Sequence, residues 1–561
     1  PHVVEANPPE KTINFSSLSF EVTFDEYFIL DNINQKLMVS PPFEKKPEVK
    51  IKKKTLLVNF EEELRDSVTY TFYFLDAIKD LNANNPIDNF QYVFSTGPVL
   101  DSLSVLGKIY DAATLDPDEE IFILLYSSHG DTMPQTTIPE YIAKASDEGE
   151  FRIDNIAGGT YSIYGLKDLN SNKIYDLPDE RFAFIDSLIT LSASNNYIPP
   201  MPDSLSTRQD SARYEHMPGK EYELFLFTEE FNQQYLTSSD RKEAYKLRYT
   251  FKIPVDSGQF AIEFPDAPGT SFKMEESRNR DTITVWLLDS LLYSEPTIKA
   301  LTSYPITDTT GGITILKDTM TFRYMAPRQT RARTTDNKSA LSVVHNGSAR
   351  SGVKPGHKLT LSFDKPIEKI DNSLLKLFVT ADTSQLELDY KLSWDTVNYN
   401  SLILDYDFIE DSTYIAVWEK AAFTDIFGNL SDSAGVRFKV RNKDSYGTLT
   451  VTLSGYEGKV ILQVLNPQGS IVEERNLDLP DQNESYFALL DKGDYMLKLI
   501  FDLNGDGKWT TGDYTLKRHA EPVGFYPSLI NIKVQWDLEQ DWEIKEINIK
   551  SDGLRKGSTR N

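Results

Sequence analysis

Along most of the chain, apolar residues alternate with polar ones in short runs, the period of a half-buried strand. LSFEVTF (18–24), TLLVNF (55–60), TYTFYFL (69–75), FQYVFST (90–96), KLTLSF (358–363), SLILDY (401–406), TYIAVW (413–418) and VRFKV (436–440) are rich in Val, Thr, Tyr and Phe. Clusters such as NANNP (82–86) and DIFGN (425–429) separate them and supply turn conformations. Helical periodicity is scarce: only 229–246 carries it, and that segment reads as a surface helix or a long loop. The apolar run IFILLY (121–126) is far shorter than the roughly 20 residues that a membrane helix needs. The pattern predicts an all-β chain of tandem β-sandwiches.

Two units occur twice. LSFEVTFDE (18–26) recurs as LTLSFDKPI (359–367), and LLVNFEEELRDSVTY (56–70) recurs as LILDYDFIEDSTY (402–414). Each copy then reaches an Asp- and Asn-containing turn, at Asp80/Asn84 and Asp425/Asn429, and closes on a strand at Phe94 or Phe438. A second unit, 151–180, matches 487–514, with Tyr161 and Asp168 spaced as Tyr495 and Asp502 are. The order is A–B, an intervening region, then A–B again. Expected boundaries are 1–98 (A1), 99–197 (B1), 198–327 (a middle β domain), 328–442 (A2), 443–543 (B2) and a polar tail at 544–561.

Composition narrows the function classes. Lys and Arg total 59 against 85 Asp and Glu, a formal charge of −26 over 561 residues, which argues against nucleic acid as a partner. With 40% hydrophobic residues, 29 Tyr and 31 Phe, the chain can bury several cores. It has no Cys, so disulfide staples, thiolate metal sites and cysteine nucleophiles are excluded. A large acidic β-rich chain without Cys suits an extracytoplasmic bacterial location.

Unit A resembles the bacterial Ig-like domain of the S-layer type, through its FDE segment, its D-S-x-T-Y strand and its closing VFSTG. Unit B resembles the transthyretin-like or carboxypeptidase-regulatory-like sandwich, through GKIYDA (107–112) and DEGEFRIDNIAGGTY (147–161). The order of units, the NPP at 7–9 and ELFLFTEEFNQQYL (223–236) together resemble large Bacteroidota Ig-like surface lipoproteins. That resemblance implies an outer-membrane, cell-surface location and an N-terminal lipid anchor on a Cys preceding Pro1. It implies no catalytic residues and no cofactor. Nine Asp-Ser/Thr-aliphatic tripeptides, Asp101-Ser102-Leu103 and Asp186-Ser187-Leu188 among them, resemble the O-glycosylation acceptor pattern of Bacteroidota envelope proteins.

Enzyme signatures are missing: there is no H-E-x-x-H, G-x-S-x-G or Walker A, and the six His are scattered. The sharpest constellation is a pair of oxygen-rich loops. Asp502, Asn504, Asp506 and Asp513 stand at positions 1, 3, 5 and 12 of a calcium-loop spacing, with Gly507 at the turn and Lys508 offering its carbonyl. The earlier copy has Asp168, Asn170, Asn172, Ile174 (carbonyl), Asp176 and Asp179, with Lys173 where the glycine stands in the later one. Either loop also reads as a hairpin held by Asx turns, with no cation. The basic residues Arg328, Arg331 and Arg333, and Arg555, Lys556 and Arg560, read as a solvated linker and tail, and the six Trp read as core.

The reading is a non-catalytic surface-lipoprotein scaffold that acts through protein–protein contacts. Its expected context is an outer-membrane protein complex that includes a β-barrel protein, as an accessory subunit of the outer-membrane protein assembly machinery. Alternatives are a glycan-binding adhesin or polysaccharide-utilisation component, marked by exposed coplanar aromatics, and a hydrolase.

Overall fold

The computed structural model describes residues 1–192, 221–325 and 341–544, apart from 88–89, 129, 231–232, 257, 309–311, 349–351, 382–383, 397 and 399. The basic runs at 328–333 and 555–560, His129, His216 and the tripeptides at 203–205 and 210–212 lie outside the described residues. What is described is strand throughout, with only short helical turns such as Ser290–Ser294. The strands assemble into tandem sandwiches.

The duplication holds at the level of topology. In A1 one sheet runs Val3–Asn7, Ser19–Phe24, Thr55–Asn59, Glu48–Lys52; in A2 the same order is Val343–His345, Leu359–Phe363, Ser401–Asp405, Lys391–Trp394. Phe24 pairs with Val3 and Phe363 with Val343, so the two phenylalanines hold one position in both copies. Their cores differ in character. A1 is built from rings, with Phe20 stacked 3.8 Å from Tyr92 and Phe15 stacked 3.8 Å from Phe94. A2 draws more on Leu359, Leu361, Leu377, Leu402 and Leu404.

In B1 the larger sheet runs Tyr141–Lys144, Phe122–Tyr126, Gly159–Lys167, Arg181–Phe184; in B2 it runs Ile471–Leu479, Gly458–Leu465, Gly493–Phe501, Val523–Phe525. Tyr161 pairs with Ile189 and Tyr495 with Ile530, and each tyrosine hydroxyl donates to a carbonyl four residues upstream, Ala157 O at 3.0 Å and Asp491 O at 2.8 Å. The facing sheet takes a parallel third strand in both copies: Glu221–Leu226 beside Leu103–Asp111, and Asp537–Glu543 beside Gly447–Ser454. Residues 221–226, expected in the middle region, therefore belong to B1. The connection from 192 to 221 is long in B1 and short in B2, which hides the equivalence in sequence.

The segment expected to be a helix or loop at 229–246 contains a strand instead. Leu236–Glu243 pairs antiparallel with Lys246–Phe251, through two irregularities in register. The hairpin end is tied by Arg241, which is 5% exposed and donates to Ala244 O, Tyr293 O and Glu295 O. Backbone carbonyls thus solvate a buried guanidinium, and the accidental helical spacing of the polar residues has no face to bury.

The Asp turns of the A units are structural. Asp80 accepts from the backbone N–H groups of Asn82, Ala83 and Asn85, and the Ala83 amide above all holds its carboxyl below the ordinary range, against the opposing effect of burial. Asp425 accepts from Phe427 N and Asn429 N, both at 2.8 Å, and lies 3.6 Å from the Lys365 ammonium; both side chains are buried. The same turn carries Phe427 to the middle domain, where its ring lies 5.0 Å from Tyr245 and 6.4 Å from Trp286. Removing one partner of a buried pair leaves the other charge stranded. Asp425→Ala is therefore expected to lower the stability of A2 by about 3–5 kcal/mol, read as a drop in urea midpoint at constant slope. A loss below about 1 kcal/mol would show that the pair and its turn are incidental.

Candidate functional site

IFILLY (121–126) is apolar at every position because its strand is covered on both sides. Ile121, Ile123 and Leu125 face the interior of B1, whereas Leu124 and Tyr126 join a second cluster on the outer face with Tyr164, Leu166, Phe182 and Phe184. The cover for that outer face comes from a distant part of the chain. Tyr514 of B2 is 2% exposed, and its ring meets Tyr164, Phe182 and Phe184 edge-on at centroid distances of 5.8, 4.9 and 5.4 Å.

Polar contacts fix the orientation of this docking. The Tyr514 hydroxyl donates to the Tyr164 hydroxyl at 3.3 Å, Tyr514 N donates to the Glu229 carboxylate, and the Thr511 hydroxyl donates to Thr228 O at 2.7 Å. Lys517 sits 3.5 Å over the Tyr514 ring and pairs with Asp131 at 3.2 Å, while His519 stacks 4.2 Å from Phe184. Gly512 lies against Phe227 so closely that a Cβ there would come within 2.6 Å of the ring. Burial first, then the Tyr514 hydroxyl, keep the Tyr164 phenol well above its ordinary pKa. Both hydroxyls thus stay neutral hydrogen-bonding groups.

The expected calcium loop is what carries Tyr514. The strand Gly493–Phe501 presents Asp502, whose Oδ1 accepts from Gly505 N at 2.7 Å and Asp506 N at 3.1 Å, while Oδ2 accepts from Gly507 N at 3.0 Å. Asn504 Oδ1 accepts from Asp506 N, and Asp506 Oδ1 accepts from Lys508 N. Gly505 and Gly507 take left-handed φ values of 75° and 76°. Asp513 stands apart, in a separate turn where it accepts from Leu516 N and pairs with Arg518 through the backbone.

The earlier loop repeats this scheme. Asp168 accepts from Asn170 N, Ser171 N and Lys173 N, Asn170 Oδ1 from Asn172 N, and Asn172 Oδ1 from Ile174 N. The Asp176 carboxylate accepts from the amide groups of Asn170 and Asn172. Ser171 and Lys173 adopt the left-handed φ (64° and 63°) that glycines take in the second copy. Asp179 is exposed and takes no part in the Asp168 turn. Among the described residues no group of three or more His, Asp or Glu side chains is arranged to hold a metal ion.

Two residues that sequence reasoning passed over organise both loops. Glu180, with no exposed surface, accepts from Leu169 N, Asp176 N and Leu177 N. Glu521, 5% exposed, accepts from Leu503 N, Asn504 N and Thr510 N. Glu180 follows Asp168 by 12 residues and Glu521 follows Asp502 by 19, so the second loop holds seven more residues, and Tyr514 is among them. Aligning the copies on their glutamates exposes that insertion.

Elsewhere the expected surface features scatter. Trp286 and Trp418 are buried as expected, but Trp394 and Trp536 are exposed at 45% and 56%. Ser102, Ser187, Ser290 and Ser433 of the Asp-Ser-aliphatic tripeptides are exposed.

Residues 1–96 match the bacterial Ig-like domain family. No curated protein matches the chain. Among solved structures, native alpha-2-macroglobulin of Escherichia coli spanning domains MG0-NIE-MG1 is 13% identical, over 54% of this chain and 97% of that one, with a TM-score of 0.16. A Bacteroides ovatus protein, SGBP-B of the mixed-linkage glucan utilization locus, in complex with a mixed-linkage heptasaccharide, is 10% identical over 77% of this chain and 95% of that one, with a TM-score of 0.16. The S-layer protein rSbsC(31–844) is 12% identical over 90% of this chain and 66% of that one, with a TM-score of 0.13. At such scores the sandwich assignment rests on the strand topology above and on the Ig-like match.

Tyr514→Ala is expected to weaken the B1–B2 contact by about 3 kcal/mol or more, the scale for deleting a buried ring, and Gly512→Val to do the same by clash. Limited proteolysis should then cut the 502–521 loop several-fold faster, whereas unchanged cleavage in both variants contradicts the docking. For the cation, a millimolar site at millimolar calcium stabilises by only about 0.4 kcal/mol, or roughly 2–3 °C in a domain of this size. Because the Asp502 oxygens are taken up by backbone amides and Asp513 stands in a separate turn, the expected result is an unchanged midpoint against chelator; a shift of that order, erased by Asp502→Ala, would instead show a bound cation.

Proposed function

We propose that this chain is a non-catalytic scaffold of the bacterial cell surface that works through protein–protein contacts. The observation that carries the reading is the docking of Tyr514. The insertion that distinguishes the two B units is spent on fixing one sandwich against another. Four buried charged groups follow the same pattern: Glu180, Glu521, Asp425 and Arg241 are committed to backbone hydrogen bonds that hold turns and hairpins. The Ig-like match at 1–96 supports a surface setting. No helix among the described residues is long and apolar enough to cross a membrane, and a lipid anchor would supply the attachment.

The finer reading is an accessory lipoprotein of the outer-membrane protein assembly machinery, bound to a complex that contains a β-barrel protein. It draws on the resemblance in sequence and on surfaces suited to docking. The edge strand Ile313–Arg323 is exposed along most of its 11 residues and carries Ile313, Ile315 and Leu316 outward, an arrangement open to strand addition. The adhesin alternative calls for coplanar exposed aromatics. Among the described residues the exposed Tyr27, Trp394, Tyr486 and Trp536 make no ring contact with one another.

Purification of the tagged full-length protein from native membranes in mild detergent is expected to recover a β-barrel protein in stable stoichiometry. Recovery of the chain alone, or hydrolysis of a glycan or peptide panel that is lost on substituting a single carboxylate, contradicts the scaffold.

A further inference from the structure

The two B units differ at one point on their outer faces, and the difference leaves a cleft. In B1 the side-by-side row across the sheet is Leu124, Tyr164 and Phe184, all buried beneath Tyr514. The corresponding row in B2, fixed by the equivalence of Tyr161 with Tyr495, is Gln463, Lys498 and Phe525. Among the described residues no ring plugs that row as Tyr514 plugs the other. A cavity of about 330 Å³ opens over it, closed from the other side by the 113–116 loop of B1 and walled by Trp509.

The chemistry of the lining is specific. Lys498 is half-buried and, among the described residues, has no hydrogen bond or ion pair; Asp111 and Glu474 act on it only at a distance. Burial presses its pKa downward, a cost that an anionic group against the ammonium would offset. Trp509 donates its indole N–H to Glu521 O at 2.9 Å, and its ring lines the cavity with Phe525. Gln463, whose amide donates to the Glu474 carboxylate at 2.7 Å, and Asp116 also line the cleft. The volume lies at the lower end of small-ligand sites, the size of a sugar residue or two.

We propose that this cleft between B1 and B2 binds an acidic saccharide residue, its carboxylate against Lys498 and its apolar ring face against Trp509 and Phe525. The assignment is independent of the scaffold reading, since it concerns a cleft between the two sandwiches and no exposed edge strand. Binding there touches both B units, so the ligand also strengthens their docking.

The test is ligand-observed NMR on the full chain with galacturonate, galactose and phenylacetate as probes. Galacturonate is expected to saturate, with a Kd of about 0.1–5 mM. Galactose is expected to bind at least about tenfold more weakly, and Lys498→Met to weaken galacturonate by a similar factor. That variant should keep a thermal midpoint at or above the parent's, because an unpaired, partly buried charge has been removed. Absence of saturable galacturonate binding, equal binding of galactose, undiminished binding by Lys498→Met, or binding of phenylacetate alone each overturns the proposal.

Discussion

A strand that is apolar on both faces must be covered twice, and the arrangement of the B units follows from that requirement. Leu124, Tyr126, Tyr164 and Phe184 make the outer face of the B1 sheet as apolar as its inner one. Left in water it would be an exposed patch of the kind that aggregates or recruits a partner. The chain supplies the cover itself, from more than three hundred residues away, through the ring of Tyr514. The contact gains specificity from its polar rim, where each donor meets a carbonyl, a hydroxyl or a carboxylate.

Duplication then explains how such a contact arises without a new fold. Both B loops use one design: an Asp closing an Asx turn on three amides, and a buried Glu satisfying three more. Because the Asp and Glu hold the loop at its two ends, residues inserted between them leave the sandwich intact. Seven residues there were enough to reach across to B1. The outer face of B2 took the opposite course, exchanging Leu and Tyr for Gln463 and Lys498 and retaining Phe525. One copy therefore buries its outer face under an aromatic plug, and the other keeps a cleft in which Lys498 stands among apolar side chains such as Met496, Ile500, Trp509 and Phe525.

Much of this was legible in the sequence, because strand alternation and turn residues are local signals. The strand runs, the A–B duplication and the Asp80 and Asp425 turns can all be read along the chain. The features that resist reading are those set by distant partners. Glu221–Leu226 looks like a strand from any position, but only its parallel pairing assigns it to B1. The polar spacing at 229–246 imitates a helix until Arg241 is seen tied to carbonyls 52 and 54 residues away. Glu180 and Glu521 are ordinary glutamates in sequence; their burial depends on the loop closing around them. The apolar run at 121–126 says in sequence only that it is too short to span a membrane; that its strand is covered on both faces shows in the packing.

The central claim is that B1 and B2 are held in one fixed relation, and a distance between them tests it directly. The chain has no Cys, so spin labels can be placed without background at the exposed positions Ser187 in B1 and Lys492 in B2. Pulsed dipolar spectroscopy on the full chain in solution should give a single narrow distance distribution. A broad or multiply peaked distribution would show the two sandwiches moving independently and would contradict the account.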